Sequence, residues 1–210
     1  MDAAYGGFFS LTKTGKILFN GLDQANSVTL DPHKSLFLPY GIGAVLIKNH
    51  QQHRQAFTEH APYLQDCLNI TDELSPCDLS PELTRHFRAL RMWLPLKLYG
   101  LAPFRAALEE KLLLTTYFYQ QLKQIPNIDI ACAPQLTVVT FRYLPHDQDA
   151  NIFNAKLIQM INDDGRIYLS STTLQNKFYL RMACLSFRTH LAEMKLALEV
   201  IQEMINTIGG

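Results

Sequence analysis

Past residue 127 the chain changes rhythm, and that rhythm narrows the folds open to it. Two strand-like runs, residues 128–132 and 137–143, precede a helical run over 150–162. Two more, 166–171 and 178–184, precede a second helical run, HLAEMKLALEVIQEMI. Asp149 is a candidate cap for the first helix and Thr189 for the second, and Gly165 falls near the first helix's end. A β-β-α-β-β-α series after a long helix predicts a small α+β domain packed on something larger. The boundary is expected near residue 101.

The earlier half is more irregular. Residues 27–30 and 44–48 read as short strands, with the turn-forming PYGIG between them. Residues 51–60 read as a short polar helix, and 62–80 as a long loop. Ser80 as N-cap, Pro81 at the first helical position and Glu82 in the first turn predict a helix through ELTRHFRALRMWLPLKLY, kinked at Pro95 and ended by Gly100. A second helix starts at Pro103, carries apolar residues on a helical period, and ends at Pro126.

Composition excludes several classes. With 48% hydrophobic residues the chain can bury a core. Its 19 basic and 19 acidic side chains leave no basic excess, which argues against a nucleic-acid partner. No apolar run approaches the roughly 18 residues of a membrane span. Met1-Asp2 leads into AAYGGFF with no signal-peptide pattern. Cys67, Cys77, Cys132 and Cys184 form no CxxC pair, so a reduced, cytoplasmic protein is expected. His50 and His53 share a helical spacing but lack a third ligand, so no metal site is expected.

The chemistry concentrates in SVTLDPHKSLFL. An apolar run stops at Asp31-Pro32, His33 and Lys34 follow, and apolar residues resume. A lysine after a strand ordinarily snorkels, stem packed and ammonium in water. A lysine at the carboxyl end of a strand in an open α/β sheet sits where such sheets bind ligands. Held in a partly dry pocket, its neutral amine can attack a carbonyl.

Three stretches decide between these readings: DAAYGG at residues 2–7, SVTLDPHK at 27–34, and LSPELTRHFRALRMWLPLKLYG at 79–100. Together they resemble the pyridoxal-phosphate-dependent group II amino-acid decarboxylases, whose members act on aromatic amino acids, glutamate, histidine and tyrosine. The resemblance runs from residue 2 to about residue 190. It implies an α/β, aspartate-aminotransferase-like (fold type I) architecture. Residues 1–100 would be the carboxyl-terminal part of a truncated large, cofactor-binding domain, and 101–210 the α+β small domain. It implies pyridoxal 5'-phosphate as cofactor, joined as an imine to Lys34. Asp2 would keep the pyridine nitrogen protonated so that the ring stays an electron sink. Ala4 would lie under the ring face, His33 near the phosphate and lysine end, and Asp31 would orient its neighbours. Arg88 is expected to be a structural pair rather than a substrate ligand.

The family's upstream half, with its phosphate-gripping loop and ring-stacking histidine, has no counterpart here. The expected protein is therefore the lysine-bearing half of a decarboxylase. It would act on an L-amino acid as its small-molecule substrate, as a homodimer or with a complementary amino-terminal half. Two alternatives are a remnant or split-enzyme fragment that binds no cofactor alone, and another fold-type-I lyase or aminotransferase. Some relatives carry a proton-donating tyrosine in the loop expected at 62–80, but Tyr63 does not align with it convincingly.

Overall fold

The computed structural model describes residues 1–58 and 75–209. Tyr63, Cys67 and most of the loop expected at 62–80 lie outside the described residues. The chain divides into two compact units, Met1–Ser10 with Lys16–Gly100 and Leu11–Gly15 with Leu101–Gly210.

In the first unit, β1 (Ser27–Leu30) pairs antiparallel with β2 (Ala44–Ile47), Val28 opposite Leu46 and Thr29 opposite Val45. On its other side β1 forms a parallel bridge from Thr29 to Asp2. Before β1, Gly7–Leu11 is a 3-10 turn. Helix α1 (Lys13–Leu18) follows; its residues through Gly15 are grouped with the second unit, and there the Gly15 N–H donates to the Thr12 hydroxyl at 3.0 Å. Phe8, Phe9, Val28, Leu36 and Ile42 are buried. Strand β2 is different: the neighbouring residues Val45, Leu46 and Ile47, which alternate between its two faces, are all exposed.

Helix α2 is a single turn, Pro32–Ser35, with Asp31 at its N-cap and proline in its first turn. Helix α3 (His50–Phe57) carries both histidines of HQQH, and the His53 ring meets Phe57 edge-on at 5.4 Å.

The helix expected from Ser80 begins only at Leu90, as α4 (Leu90–Tyr99). Side chains explain the delay. The Ser80 hydroxyl accepts from Arg85 Nη1 at 3.0 Å instead of from a helical N–H, and Arg85 Nη2 donates to the Pro76 carbonyl at 3.1 Å. Arg88 forks onto Glu82 at 2.7 and 3.1 Å, as its expected structural pairing requires. Helix α4 continues through Pro95 and ends at Gly100, in positive φ (70°).

The second unit opens with α5 (Ala102–Leu122). Strands β3 (Ile128–Ile130), β4 (Val138–Tyr143), β5 (Ser170–Leu174) and β6 (Lys177–Ala183) form an antiparallel sheet in the order β3-β4-β6-β5. Helix α6 (Ala150–Asp164) follows β4, and α7 (Leu191–Gly209) closes the described chain. The expected β-β-α-β-β-α order is the observed one. Phe118, Phe141, Phe153, Leu157, Leu180 and Ile201 form the buried centre, each side chain contributing about 1.5–3 kcal/mol. Asn154 links α6 to β4. Its amide accepts from Tyr143 N at 2.9 Å and donates to the Tyr143 and Ala150 carbonyls.

Three boundaries depart from expectation. β5 starts at Ser170 because Asn162 bonds both the N–H and the C=O of Leu169, at 3.0 Å each, leaving neither for a ladder. The β5–β6 turn is Gln175-Asn176, both in positive φ, the backbone of a two-residue hairpin. Thr189 does not cap α7. His190 precedes that helix and its N–H is bonded by Glu193 at 2.7 Å, while the Thr189 carbonyl accepts from the buried Lys111 ammonium.

Candidate active site around Lys34 and Asp2

The site is assembled by β1 and its two flanks. Thr29 spends its backbone on the segment carrying Asp2: its N–H donates to Met1 O and its C=O accepts from Ala3 N, both at 3.1 Å. The pairing brings the Thr29 hydroxyl within 3.1 Å of Asp2 Oδ1, and the Ala4 N–H reaches the same oxygen at 3.0 Å. These two donors, the backbone N–H first, hold the Asp2 carboxyl below its ordinary range, and the Lys34 charge acts in the same direction. Asp2 is thus an ionised acid with a fixed orientation, although exposed. Ala4 beside it is partly buried.

At the other end of β1 the chain turns into α2. The Lys34 ammonium lies 2.7 Å from Asp31 Oδ2, and His33 Nε2 is 3.9 Å from the same oxygen. His33 Nδ1 donates to the Ile42 carbonyl at 2.6 Å, which assigns the ring hydrogen to Nδ1 and turns Nε2 toward Asp31 and Lys34. The His33 ring meets Tyr40 edge-on at 5.2 Å. The Lys34 side chain is 41% exposed in this chain, so it is a paired, half-open amine rather than a buried one. Just beyond, Phe37 takes a positive φ of 57°, a backbone region that costs a non-glycine residue about 1–3 kcal/mol.

All five residues singled out from the sequence therefore lie on β1, its parallel partner or the turn that ends it. Asp31, His33 and Lys34 are one connected group, and Asp2 and Ala4 lie on the segment that pairs with Thr29. Sequence reasoning missed Thr29. Its signal was present: in SVTL it alternates with the buried Val28, the position of a polar side chain on a half-covered strand. Arg91, which by type and position reads as part of a solvated helix face, instead donates from Nη1 to the Tyr40 carbonyl at 3.0 Å. A groove of about 940 Å³ in the same unit is lined by Pro32, Ile42, Phe87 and Trp93 among others, and Lys34 and Asp2 do not line it. Among the described residues no cluster of His, Cys, Asp or Glu could hold a metal ion.

The residue types and their placement fit a pyridoxal cofactor: an amine at the carboxyl end of a strand, and a carboxylate held ionised on the neighbouring segment. Comparison with known proteins agrees. The model of the pyridoxal-dependent decarboxylase conserved domain matches residues 1–144. Aromatic-L-amino-acid decarboxylase of Bacillus atrophaeus is 35% identical over 198 residues, which cover 92% of this chain and 41% of that protein. The Rattus norvegicus protein of the same name is 30% identical over 212 residues, covering 99% and 43%. The structure of Catharanthus roseus tryptophan decarboxylase in complex with L-tryptophan superposes with a TM-score of 0.88 at 24% identity, over 98% of this chain and 44% of that one. The chain spans less than half the length of the relatives it matches.

Proposed function

Because this chain belongs to the pyridoxal-dependent decarboxylase family, we propose that it is the lysine-bearing part of an enzyme that removes the carboxyl group of an L-amino acid as carbon dioxide, leaving an amine. Residues 1–100 belong to the cofactor-binding large domain in this reading, and 101–210 are the small domain. The observation that carries the proposal is that β1 holds a fixed, ionised Asp2 against Thr29 and leads directly into the turn that carries Lys34.

When bound, pyridoxal phosphate supplies the electron sink for the charge that departing carbon dioxide leaves behind. Lys34 is the residue that would hold the cofactor covalently, through its amine. Asp31 orients that amine before attachment, drawing it along α2 by an i,i+3 ion pair. Asp2 provides the negative charge that keeps a pyridine nitrogen protonated, and its two donors keep the carboxylate from taking that proton itself. Ala4 would offer a small side chain to the cofactor ring, and His33 presents Nε2 toward Asp31, the residue that holds Lys34.

A specific observation favours a second polypeptide segment at this site. Antiparallel ladders alternate. Lys48 N donates to Asn26 O, so the backbone groups of Val45 and Ile47 face away from β1. Among the described residues, strand β2 therefore has no partner on its outer edge and shows exposed apolar side chains on both faces, the features of an interior strand without its neighbours. This supports a complementary amino-terminal half, in the same or another chain, with a dimer as the assembled form. It also supports the rival reading, in which this chain alone binds no cofactor. The setting proposed is reducing and cytoplasmic, which suits the free Cys77, Cys132 and Cys184.

The deciding experiment adds pyridoxal phosphate to the purified chain, reduces with borohydride and maps the modified peptide. A single adduct on Lys34, absent in Lys34→Ala, is expected. Adducts scattered over surface lysines would favour the remnant. Release of sulfur, or amino-group transfer in place of carbon dioxide, would favour another enzyme of the same fold.

A further inference from the structure

The turn at residues 39–43 is held from both ends of one short path. Arg91, on α4, donates from Nη1 to the Tyr40 carbonyl at 3.0 Å. Gly41, next in sequence, has a φ of 87°, and a Cβ there would sit 3.0 Å from that same guanidinium nitrogen. The arginine thus closes directly over a left-handed glycine, where a side chain would be both strained and crowded. One residue further, the Ile42 carbonyl accepts from His33 Nδ1 at 2.6 Å, with Ile42 itself buried at 3% exposure. Then comes Gly43, where a Cβ would lie 3.5 Å from Asp31 Oδ1. The turn therefore bonds Arg91 and then His33, and its last glycine leaves room beside Asp31, which holds Lys34.

We propose that Arg91 is a positioning residue for the Lys34 site: by holding the Tyr40–Gly41 turn against α4, it fixes the Ile42 carbonyl that assigns the His33 ring hydrogen to Nδ1. The physical logic is that a histidine's tautomer is set by whatever its other nitrogen bonds. A carbonyl on a mobile turn holds that choice weakly, and a carbonyl on a tethered turn holds it firmly. With hydrogen on Nδ1, Nε2 is the bare nitrogen facing the Asp31–Lys34 pair. Arg85 and Arg88 have different duties, being tied to Pro76, Ser80 and Glu82. Arg91 is thus the arginine of this segment whose bond reaches the turn.

The consequence for catalysis rests on the reading of Lys34 as the cofactor lysine, and the test separates the two. Ring nitrogens of histidine-labelled chain are observed by NMR above the imidazole titration range, alongside the rate at which pyridoxal phosphate gives a borohydride-trapped adduct on Lys34. In the unaltered chain His33 is expected as the Nδ1–H tautomer. Arg91→Ala should shift His33 toward a mixture of tautomers and slow the Lys34 adduct about two- to tenfold, the effect of one hydrogen bond. Arg91→Lys, which can still donate to Tyr40, should recover part of both. Arg88→Ala, which breaks the Glu82 pair, should move neither. An unchanged His33 tautomer in Arg91→Ala overturns the proposal. So does a shifted tautomer with an unchanged adduct rate. If the unaltered chain gives no Lys34 adduct, the cofactor reading fails, and the nitrogen shifts alone decide whether Arg91 governs His33.

Discussion

The Lys34 ammonium and the Asp31 carboxylate lie 2.7 Å apart, one turn of helix from each other, so the N-cap residue that follows β1 holds the amine of the helix it caps. Both side chains are part-exposed, and exposed pairs contribute up to about 1 kcal/mol. Asp31→Ala should therefore lower stability by no more than about 1 kcal/mol in urea unfolding. Its larger effect should fall on the Lys34 adduct: trapping should be slower and less selective against other lysines, read by peptide mapping after borohydride.

Asp2 makes a pH prediction. Its carboxyl is held low by the Ala4 N–H and then by the Thr29 hydroxyl. A folded-state value below the unfolded one means a stabilising contribution present above the ordinary carboxylate range. That contribution is lost as pH falls through the folded value. The Asp2 side-chain carbon signal should titrate below that of a model aspartate. Thr29→Val should raise the midpoint part of the way back, since the Ala4 donor remains. A midpoint unmoved by Thr29→Val would remove the hydroxyl from the account.

Gly7 tests the packing beneath the site. A Cβ there would collide with Leu30 Cδ2 and lie 3.1 Å from Ala3 Cβ. Leu30 ends β1, immediately before Asp31. Gly7→Ala should cost about 1–3 kcal/mol in chemical denaturation, the range for overpacking a filled site. It should also weaken trapping at Lys34 to the extent that displacing the Leu30 side chain disturbs Asp31, the next residue.

The cysteines of the second unit should differ sharply. Burial pushes the Cys184 thiol up to about 11, against an ordinary 9.0, while Cys132 is exposed. Iodoacetamide at neutral pH should label Cys132 readily and Cys184 only after unfolding. The sign of the pH effect follows. A raised folded value contributes stability that is full below about 9 and is lost as pH rises toward 11. Cys184→Ala should flatten the alkaline limb of a pH–stability curve, though it also removes buried volume.

The sequence by itself determined the element order of the second unit, the strand SVTL and the stop at Gly100, while the fold class came from the family resemblance. The first three rest on local rules: period-two and period-3.6 patterning, capping chemistry, and glycine's freedom at positive φ. The Asp149 cap is an example, its side chain bonding Ile152 N at 2.9 Å as its position predicts. The rules failed where a distant or neighbouring side chain claimed a group that local logic had assigned elsewhere. Ser80 is a good cap by type, yet Arg85 takes its hydroxyl, and the helix waits until Leu90. Asn162 takes both backbone groups of Leu169, and β5 starts late.

The same division runs through the candidate site. Lys34, His33 and Asp31 are neighbours in the chain, so their association was legible from spacing alone. Three things were left to the tertiary structure. They are the pairing of Thr29 with residue 2, the Ile42 carbonyl that chooses His33's tautomer, and the Arg91 bond spanning from α4 to Tyr40. Contacts between residues far apart in sequence depend on where a whole strand or turn packs. No local pattern of residue types encodes that placement.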